Sequence, residues 1–282
     1  MPGPSYRIPL PPGPFRLDLT ALVLERHPRN PFDRWDPTRG SWRRRFAGGL
    51  AAVSLGEGGL EVAGPAPPEE VAALLGLGCD PSPLYRLAER DPLLRRLVPP
   101  LAGLRPQRFP TVWEALCHGV ACQQVSLASG LAALGRLAAR WGGTVEGLAL
   151  LPPPEALEVL DLDGLGLSRQ KQATLRRLAA LARQGGLEGL RTLPTEATRR
   201  ELQALPGVGP WTASYVLLRG LGRLEVFPLG DAGAARRLAA WLGRPRLGSE
   251  EVARLVARWG EFRGLVYFYL LGAARAGLEP TP

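Results

Sequence analysis

The sequence predicts an α+β chain, predominantly helical, with a small antiparallel β-rich part at its N-terminus. Two textures carry that expectation. From Tyr6 to about Gly64 the chain is proline-rich and partly alternating, with SWRRRF, LAAVSL and LEV set around the turn GEGG at residues 56–59. This pattern predicts short antiparallel strands. From Pro67 onward, apolar residues recur at helical spacing between Gly and Pro punctuation. The length of 282 residues is enough to bury a substantial core, in one large domain or two smaller ones.

Taken in order, the helical segments are PPEEVAALLGL, LYRLAERDPLLRRLV, TVWEALCHGVACQQ, LASGLAALGRLAARWG, RQKQATLRRLAALARQ, TEATRRELQAL, WTASYVLLRGL, AGAARRLAAWLG, SEEVARLVARWG and EFRGLVYFYLLGAARAG. That makes about ten helices in roughly 215 residues. No low-complexity linker separates the two textures. The seam is expected within residues 95–110, dividing the chain into a β-rich unit with trailing helices at 1–95 and a helical core at 96–282. No solenoid-type repeat is present. One internal echo stands out: DGLGLSRQ at residues 163–170, a GxG turn opening onto a basic helix.

Composition excludes several classes. Hydrophobic content of 45% and charged content of 22% are those of a soluble globular protein, and no apolar run approaches the roughly 18 to 20 residues of a membrane span. The N-terminus MPGPSYRIPLPPGP is too broken by proline for a signal peptide, so a cytoplasmic protein is expected. Cys79, Cys117 and Cys122 fall in no metal or redox spacing, and His27 and His118 do not complete a zinc site with them. No metal is expected. The net charge of +9 favours a polyanionic partner, and Lys171 is the single lysine among 35 basic residues. The choice of arginine over lysine also fits a GC-biased, thermophile-like composition.

The most informative stretch is LPGVGPWTASY, residues 205–215. TEATRRELQAL ends before it, and PWTASYVLLRG starts a second helix with Pro210 in its first turn. Gly207 and Gly209 permit close backbone approaches that a Cβ would block, and Val208 between them can pin the helices together. The free N–H groups of this hairpin, with the N-terminus of the second helix, suit a backbone phosphate. An ordinary helix connection is the alternative.

These residues resemble the helix-hairpin-helix DNA glycosylase superfamily, whose mark is a hairpin of LPGVGxxTA form followed about twenty residues later by a catalytic aspartate. Here Asp231, in RLEVFPLGD, lies twenty positions after Trp211. Within the superfamily the order WTASY, LRG, VF and D is similar to DNA-3-methyladenine glycosylase II, the alkylation-repair branch. FPTVWEALCHGVACQQVSLASG, residues 109–130, looks like that family's helix carrying QQVS. The likeness covers nearly the whole chain and implies a helix-hairpin-helix glycosylase fold, with the motif at about 196–220.

The resemblance implies a role for each residue. Relatives that also cut the strand carry a lysine where this chain has Trp211, and the only lysine, Lys171, belongs to another helix. A monofunctional glycosylase is therefore implied. Asp231 would stabilise an oxocarbenium-like sugar, and orienting or deprotonating the attacking water stays open as a further role; it is equally suited to cap the helix AGAARRL. Trp211 and Tyr215, four apart on one helix, would line the pocket for a flipped, cationic base such as 3-methyladenine, or else be core residues. Leu205, Gly207, Val208, Gly209, Thr212, Gln123 and Gln124 would contact DNA, with Gln124 at the family's wedge position or simply a polar helix residue.

The chain also departs from the family. Ala232 follows Asp231 where an aromatic is frequent. WGEFRG stands at residues 259–264 in place of WxPxRS, and Leu271 falls where a pocket tryptophan is expected, with Tyr267, Phe268 and Tyr269 as candidate replacements. These departures bear on the preferred base, which extends to 1-methyladenine, ethenoadenine, hypoxanthine or uracil. No cofactor is expected beyond a monovalent cation on the hairpin carbonyls, as in relatives. The implied partner is double-stranded DNA holding a damaged base, bound by a monomer at the nucleoid. The competing readings are a non-catalytic helix-hairpin-helix module and a glycosylase for deaminated or oxidised bases; Asp231 at catalytic spacing separates the first of these from an enzyme.

Overall fold

The computed structural model describes residues 5–278 and 280; the first four residues of the proline-rich N-terminal run lie outside the described part. Five strands form an antiparallel sheet in the order β1-β5-β4-β3-β2. They are β1 (Ser5–Pro9), β2 (Asp33–Asp36), β3 (Ser41–Phe46), β4 (Gly49–Gly56) and β5 (Gly59–Ala63). The hairpin between β4 and β5 closes at the Gly56–Gly59 pair, where Gly58 takes φ +80°. Trp42, Val53 and Val62 lie side by side across three strands and are fully buried. They form a core with Leu17, Ala21 and Leu24 of α1 (Leu17–Glu25) and with Val71 and Leu74 of α2 (Pro68–Leu74).

Helix α1 corrects the sequence reading, which placed only strands before residue 64. LDLTALVLE buries seven of its nine residues, on nearly every face. Packed between the sheet and the C-terminal helix, it shows no one-sided apolar stripe.

A second correction concerns LYRLAERDPLLRRLV, which is two helices, α3 (Ser82–Ala88) and α4 (Pro92–Leu97). Asp91 caps α4, accepting from the N–H groups of Leu93 and Leu94, and Pro92 starts it. The remaining helices are α5 (Val112–Ala121), α6 (Leu127–Gly142), α7 (Arg169–Arg183), α8 (Thr195–Ala204), α9 (Pro210–Arg219), α10 (Ala232–Trp241), α11 (Ser249–Ala257) and α12 (Arg263–Arg275). A small ribbon, β6 (Thr144–Val145) with β7 (Leu148–Ala149), follows α6.

Two further cores complete the molecule. One joins α5, α6 and α7 to α9 through Leu116, Leu134, Leu175 and Val216. The other joins α3 and α4 to α10–α12, and takes in Leu19 and Val23 of α1. The cores do not divide at residue 95: Leu84, Leu94 and Leu97 share a cluster with Trp259 and Phe268. The site lies where α1, α9, α10 and α12 converge.

Candidate active site

The hairpin joins α8 to α9. Gly207 takes φ +91°, and a Cβ there would lie 2.1 Å from the hydroxyl of Thr174 on α7. Val208 is 4% exposed and its N–H donates to Leu205 O at 3.0 Å, which closes the turn inward. Gly209 caps α9 with no side chain, so the first-turn N–H groups of Trp211 and Thr212 have no intrahelical partner. Pro210 begins the helix.

Gln123 fastens this hairpin to the loop after α5. Its Nε2 donates to Gly207 O and to Thr212 Oγ1, both at 2.9 Å. The side chains of Val208, Thr212 and Gln123 thus serve the hairpin, and outward contact from Val208 and Thr212 is left to the main chain. Lys171 braces the same loop from α7, its Nζ donating to Ala121 O at 2.9 Å and to Gln123 O at 2.8 Å where α5 ends. Gln124, by contrast, is exposed at the tip of the loop with φ +53°, a strained conformation for a residue with a Cβ. The echo motif contributes here too, since Ser168 caps α7 and lies with Lys171 on the wall of the same cleft.

That cleft, about 1260 Å³, is lined by every residue that the sequence assigned to catalysis, base stacking or DNA contact: Gln123, Gln124, Leu205, Gly207, Val208, Gly209, Trp211, Thr212, Tyr215 and Asp231. Trp211 and Tyr215 stack at 5.4 Å between centroids with 29° between planes, so the aromatic face is built within one helix. Asp231 caps α10: Oδ1 accepts from Ala234 N–H at 2.8 Å. Its Oδ2 accepts from Tyr267 Oη at 3.1 Å. Capping and a place on the cleft wall are therefore compatible. Burial, then the carboxylate of Asp231, hold the Tyr267 phenol well above its usual range, so the hydroxyl remains a donor.

Of the three aromatics offered for the missing tryptophan, Tyr267 lines the cleft together with Leu271, one turn later on α12. Phe268 and Tyr269 face the core and are fully buried. Trp259 is buried as well, its Nε1 donating to Asp91 Oδ2 at 2.9 Å.

Two residues on the floor escaped the sequence reading. Arg26, just past α1 with φ +57°, donates from Nη1 to Tyr215 Oη at 2.5 Å, and its Nη2 lies 2.8 Å from His118 Nδ1. The N-terminal part thereby holds the ring of the second helix of the hairpin. His118 is kept neutral: burial, then Arg26, Arg44 and Arg219, push it well below the usual imidazole range. Neutral Nδ1 accepts from Arg26. Arg219, 2% exposed, is the other floor residue. Its position eight residues after Trp211 and four after Tyr215 was the available signal. Among the described residues, no group of three or more His, Cys, Asp or Glu side chains converges to hold a metal. No described helix is long and apolar enough to cross a membrane.

The site combines a helix-hairpin-helix, a capping aspartate twenty residues beyond its tryptophan and an aromatic cleft between them. No family model matches the chain. Over 201 residues it is 30% identical to the DNA-3-methyladenine glycosylase of Bacillus subtilis, covering 68% of this chain and 66% of that protein. The chain belongs to the alkylation-repair branch of the helix-hairpin-helix DNA glycosylases. Over 197 residues it is 34% identical to a probable bifunctional transcriptional activator/DNA repair enzyme AlkA of Mycobacterium tuberculosis, covering 67% of this chain and 39% of that one. Among solved structures, the 3-methyladenine DNA-glycosylase from Archaeoglobus fulgidus superposes with a TM-score of 0.80 at 25% identity, over 96% of this chain and 98% of the other. The glycosylase fold thus extends through the N-terminal sheet as well as the hairpin.

Proposed function

We propose that this protein is a monofunctional DNA glycosylase that hydrolyses the N-glycosidic bond of alkylated purines of the 3-methyladenine type, acting as a monomer on double-stranded DNA. The observation that carries this reading is the Asp231 carboxylate on the wall of the cleft that also holds the Trp211–Tyr215 stack and the hairpin. Main-chain N–H groups at Gly207, Gly209 and the start of α9 hold a backbone phosphate. The target nucleotide rotates out of the duplex, and its base lies against Trp211 and Tyr215. As the base leaves, positive charge grows on the sugar, and a fixed carboxylate stabilises it more than the neutral ground state. Tyr267 keeps that carboxylate oriented.

A monovalent cation on the hairpin carbonyls would have to use the second lone pair of Leu205 O and Gly207 O, since each already accepts one hydrogen bond.

Gln124 is the residue we assign to fill the vacated stack. Gln124→Gly should remove that wedge and relieve the positive φ. The expected result is a gain of up to ~1 kcal/mol in stability with base release slowed roughly tenfold. Thermal unfolding and single-turnover release on one preparation check both; loss of stability, or unchanged release, sinks the assignment.

The absence of strand cleavage follows from position 211 and from Lys171, whose ammonium is committed to two carbonyls. Purified protein should release free methylated purine from alkylated DNA, leave the abasic strand intact, and form no covalent adduct under borohydride. A trapped protein–DNA adduct would show that an amine attacks the sugar. If DNA is bound and no base appears from any lesion, the non-catalytic module is the correct reading.

A further inference from the structure

The floor of the cleft carries more positive charge than excision of a cationic base calls for. The Arg219 guanidinium lies over three rings, Phe109 at 5.2 Å, Phe268 at 5.5 Å and Tyr215 at 5.9 Å. Its Nε is buried with no hydrogen-bond partner, and among the described residues no carboxylate forms an ion pair with it. Arg26 adds a second guanidinium, engaged by a phenol and an imidazole rather than by a carboxylate. Buried arginines are ordinarily paired, because an uncompensated charge out of water is expensive. Arg219 is buried in this way and Arg26 is half-buried beside it, and among the described residues neither forms a direct ion pair with a carboxylate.

The hydrogen-bonding inventory points the same way. Trp211 Nε1 is buried and unpartnered. Tyr215 Oη accepts from Arg26, which leaves its own O–H to donate. The carboxylate on the wall, Asp231, accepts from Ala234 and Tyr267 at the start of α10. Arg219, Trp211 and Tyr215 bring donors and positive charge to the cleft wall. A base that brings acceptors matches them.

Purines divide sharply on this point. A 6-oxopurine presents O6 beside N7, two acceptors at the spacing an arginine fork matches. A 6-aminopurine places a donor at position 6, where it meets donors; N-methylated guanines and adenines carry the same fixed positive charge, so the hydrogen bond at position 6 is what separates them. We propose that Arg219 reads the 6-position of the flipped purine, so that the cleft prefers 6-oxopurines, methylated guanines and hypoxanthine, over 6-aminopurines such as 3-methyladenine. This rests on the glycosylase reading above and ranks its substrates, setting 3-methyladenine below the 6-oxopurines.

The same group acts in the chemistry. When the bond from C1′ to the base nitrogen breaks, its electron pair moves onto the base. Water then adds its hydroxyl to C1′, and the remaining proton goes to the base anion of hypoxanthine, or to solvent when a cationic methylguanine leaves as a neutral base. A guanidinium against O6, and against N7 where that nitrogen is unmethylated, stabilises the electron density arriving there, while Asp231 stabilises the charge left on the sugar.

Randomly methylated DNA contains 3-methyladenine, 3-methylguanine and 7-methylguanine together. Chromatography of the first bases released from it gives ratios that do not depend on how much enzyme is folded. Per lesion, wild-type protein should release 3-methylguanine roughly tenfold or more faster than 3-methyladenine, the scale of one hydrogen bond to a charged group. It should also release hypoxanthine from a deoxyinosine duplex. Arg219→Met should bring the ratio of the two 3-methyl bases toward one by losing the guanine lesion selectively.

Equal release of both bases by the wild type, or preference for 3-methyladenine, overturns the proposal whether or not the variant folds. An unchanged ratio in Arg219→Met removes Arg219 as the reader. Absence of every methylated base and of hypoxanthine refutes the glycosylase reading instead, whereas release of 3-methyladenine alone refutes only the preference.

Discussion

Replacing Asp231 by Asn is expected to slow base release by on the order of 10²- to 10³-fold or more, with stability and DNA binding retained. The amide keeps an oxygen to accept from Ala234 N–H, now 2.8 Å from Oδ1, and Asn caps a helix about as well as Asp. What it loses is the full negative charge, the one property the developing oxocarbenium requires. Binding should hold or tighten, because the cleft wall also carries Arg26, Lys171, Arg219, Arg236, Arg237 and Arg275, and removing a carboxylate makes it more basic. The informative comparison sets single-turnover release against duplex affinity and thermal unfolding. An Asn variant within a few-fold of wild type would mean that Asp231 only caps α10. A drop in unfolding midpoint that matches the loss of activity would say the same.

The hairpin and Asp231 were legible because their chemistry is local. Two glycines, a proline and a tryptophan within a few residues dictate a turn and a helix start, and the interval to the aspartate is fixed by one helix and its following loop. Tyr267 was legible only as one of three consecutive aromatics. A helix turns about 100° per residue, so consecutive positions cannot share a wall; packing of α12 decided which one faces the cleft. Helix α1 was hidden because it is buried on nearly every face, and periodicity marks a helix only when one face is wet. Arg26 gave no sequence signal, since its place on the floor depends on the end of α1 meeting Tyr215 of α9 across 189 positions of chain. Arg219 did give one, at helical spacing from Trp211 and Tyr215. A pocket sought only for aromatic walls passes over a cation among them.

Valine at Gly207 and valine at Gly209 should have opposite consequences, although the two glycines are separated by a single residue. At 207 the backbone has φ +91°, and a Cβ would sit 2.1 Å from Thr174 Oγ1 and 2.9 Å from its Cβ, with Thr174 itself 2% exposed. Neither the branched side chain nor Thr174 has room to move, so the hairpin must leave α7. Gly207→Val should cost several kcal/mol, the scale of a strained backbone added to overpacking, and the unfolding midpoint should fall. At 209, φ is −83° and nothing lies within 4 Å of an added Cβ. The folded protein tolerates that valine, and the open space it fills is where the proposed phosphate would approach the N–H groups of α9. Gly209→Val should therefore unfold like wild type and bind both damaged and undamaged duplex roughly tenfold more weakly, since phosphate contacts carry no sequence information. Calorimetry with fluorescence anisotropy at two salt concentrations separates the cases. Unchanged affinity in a stable Gly209→Val protein would move the phosphate site off this hairpin, and with it the register that brings a flipped base to Asp231.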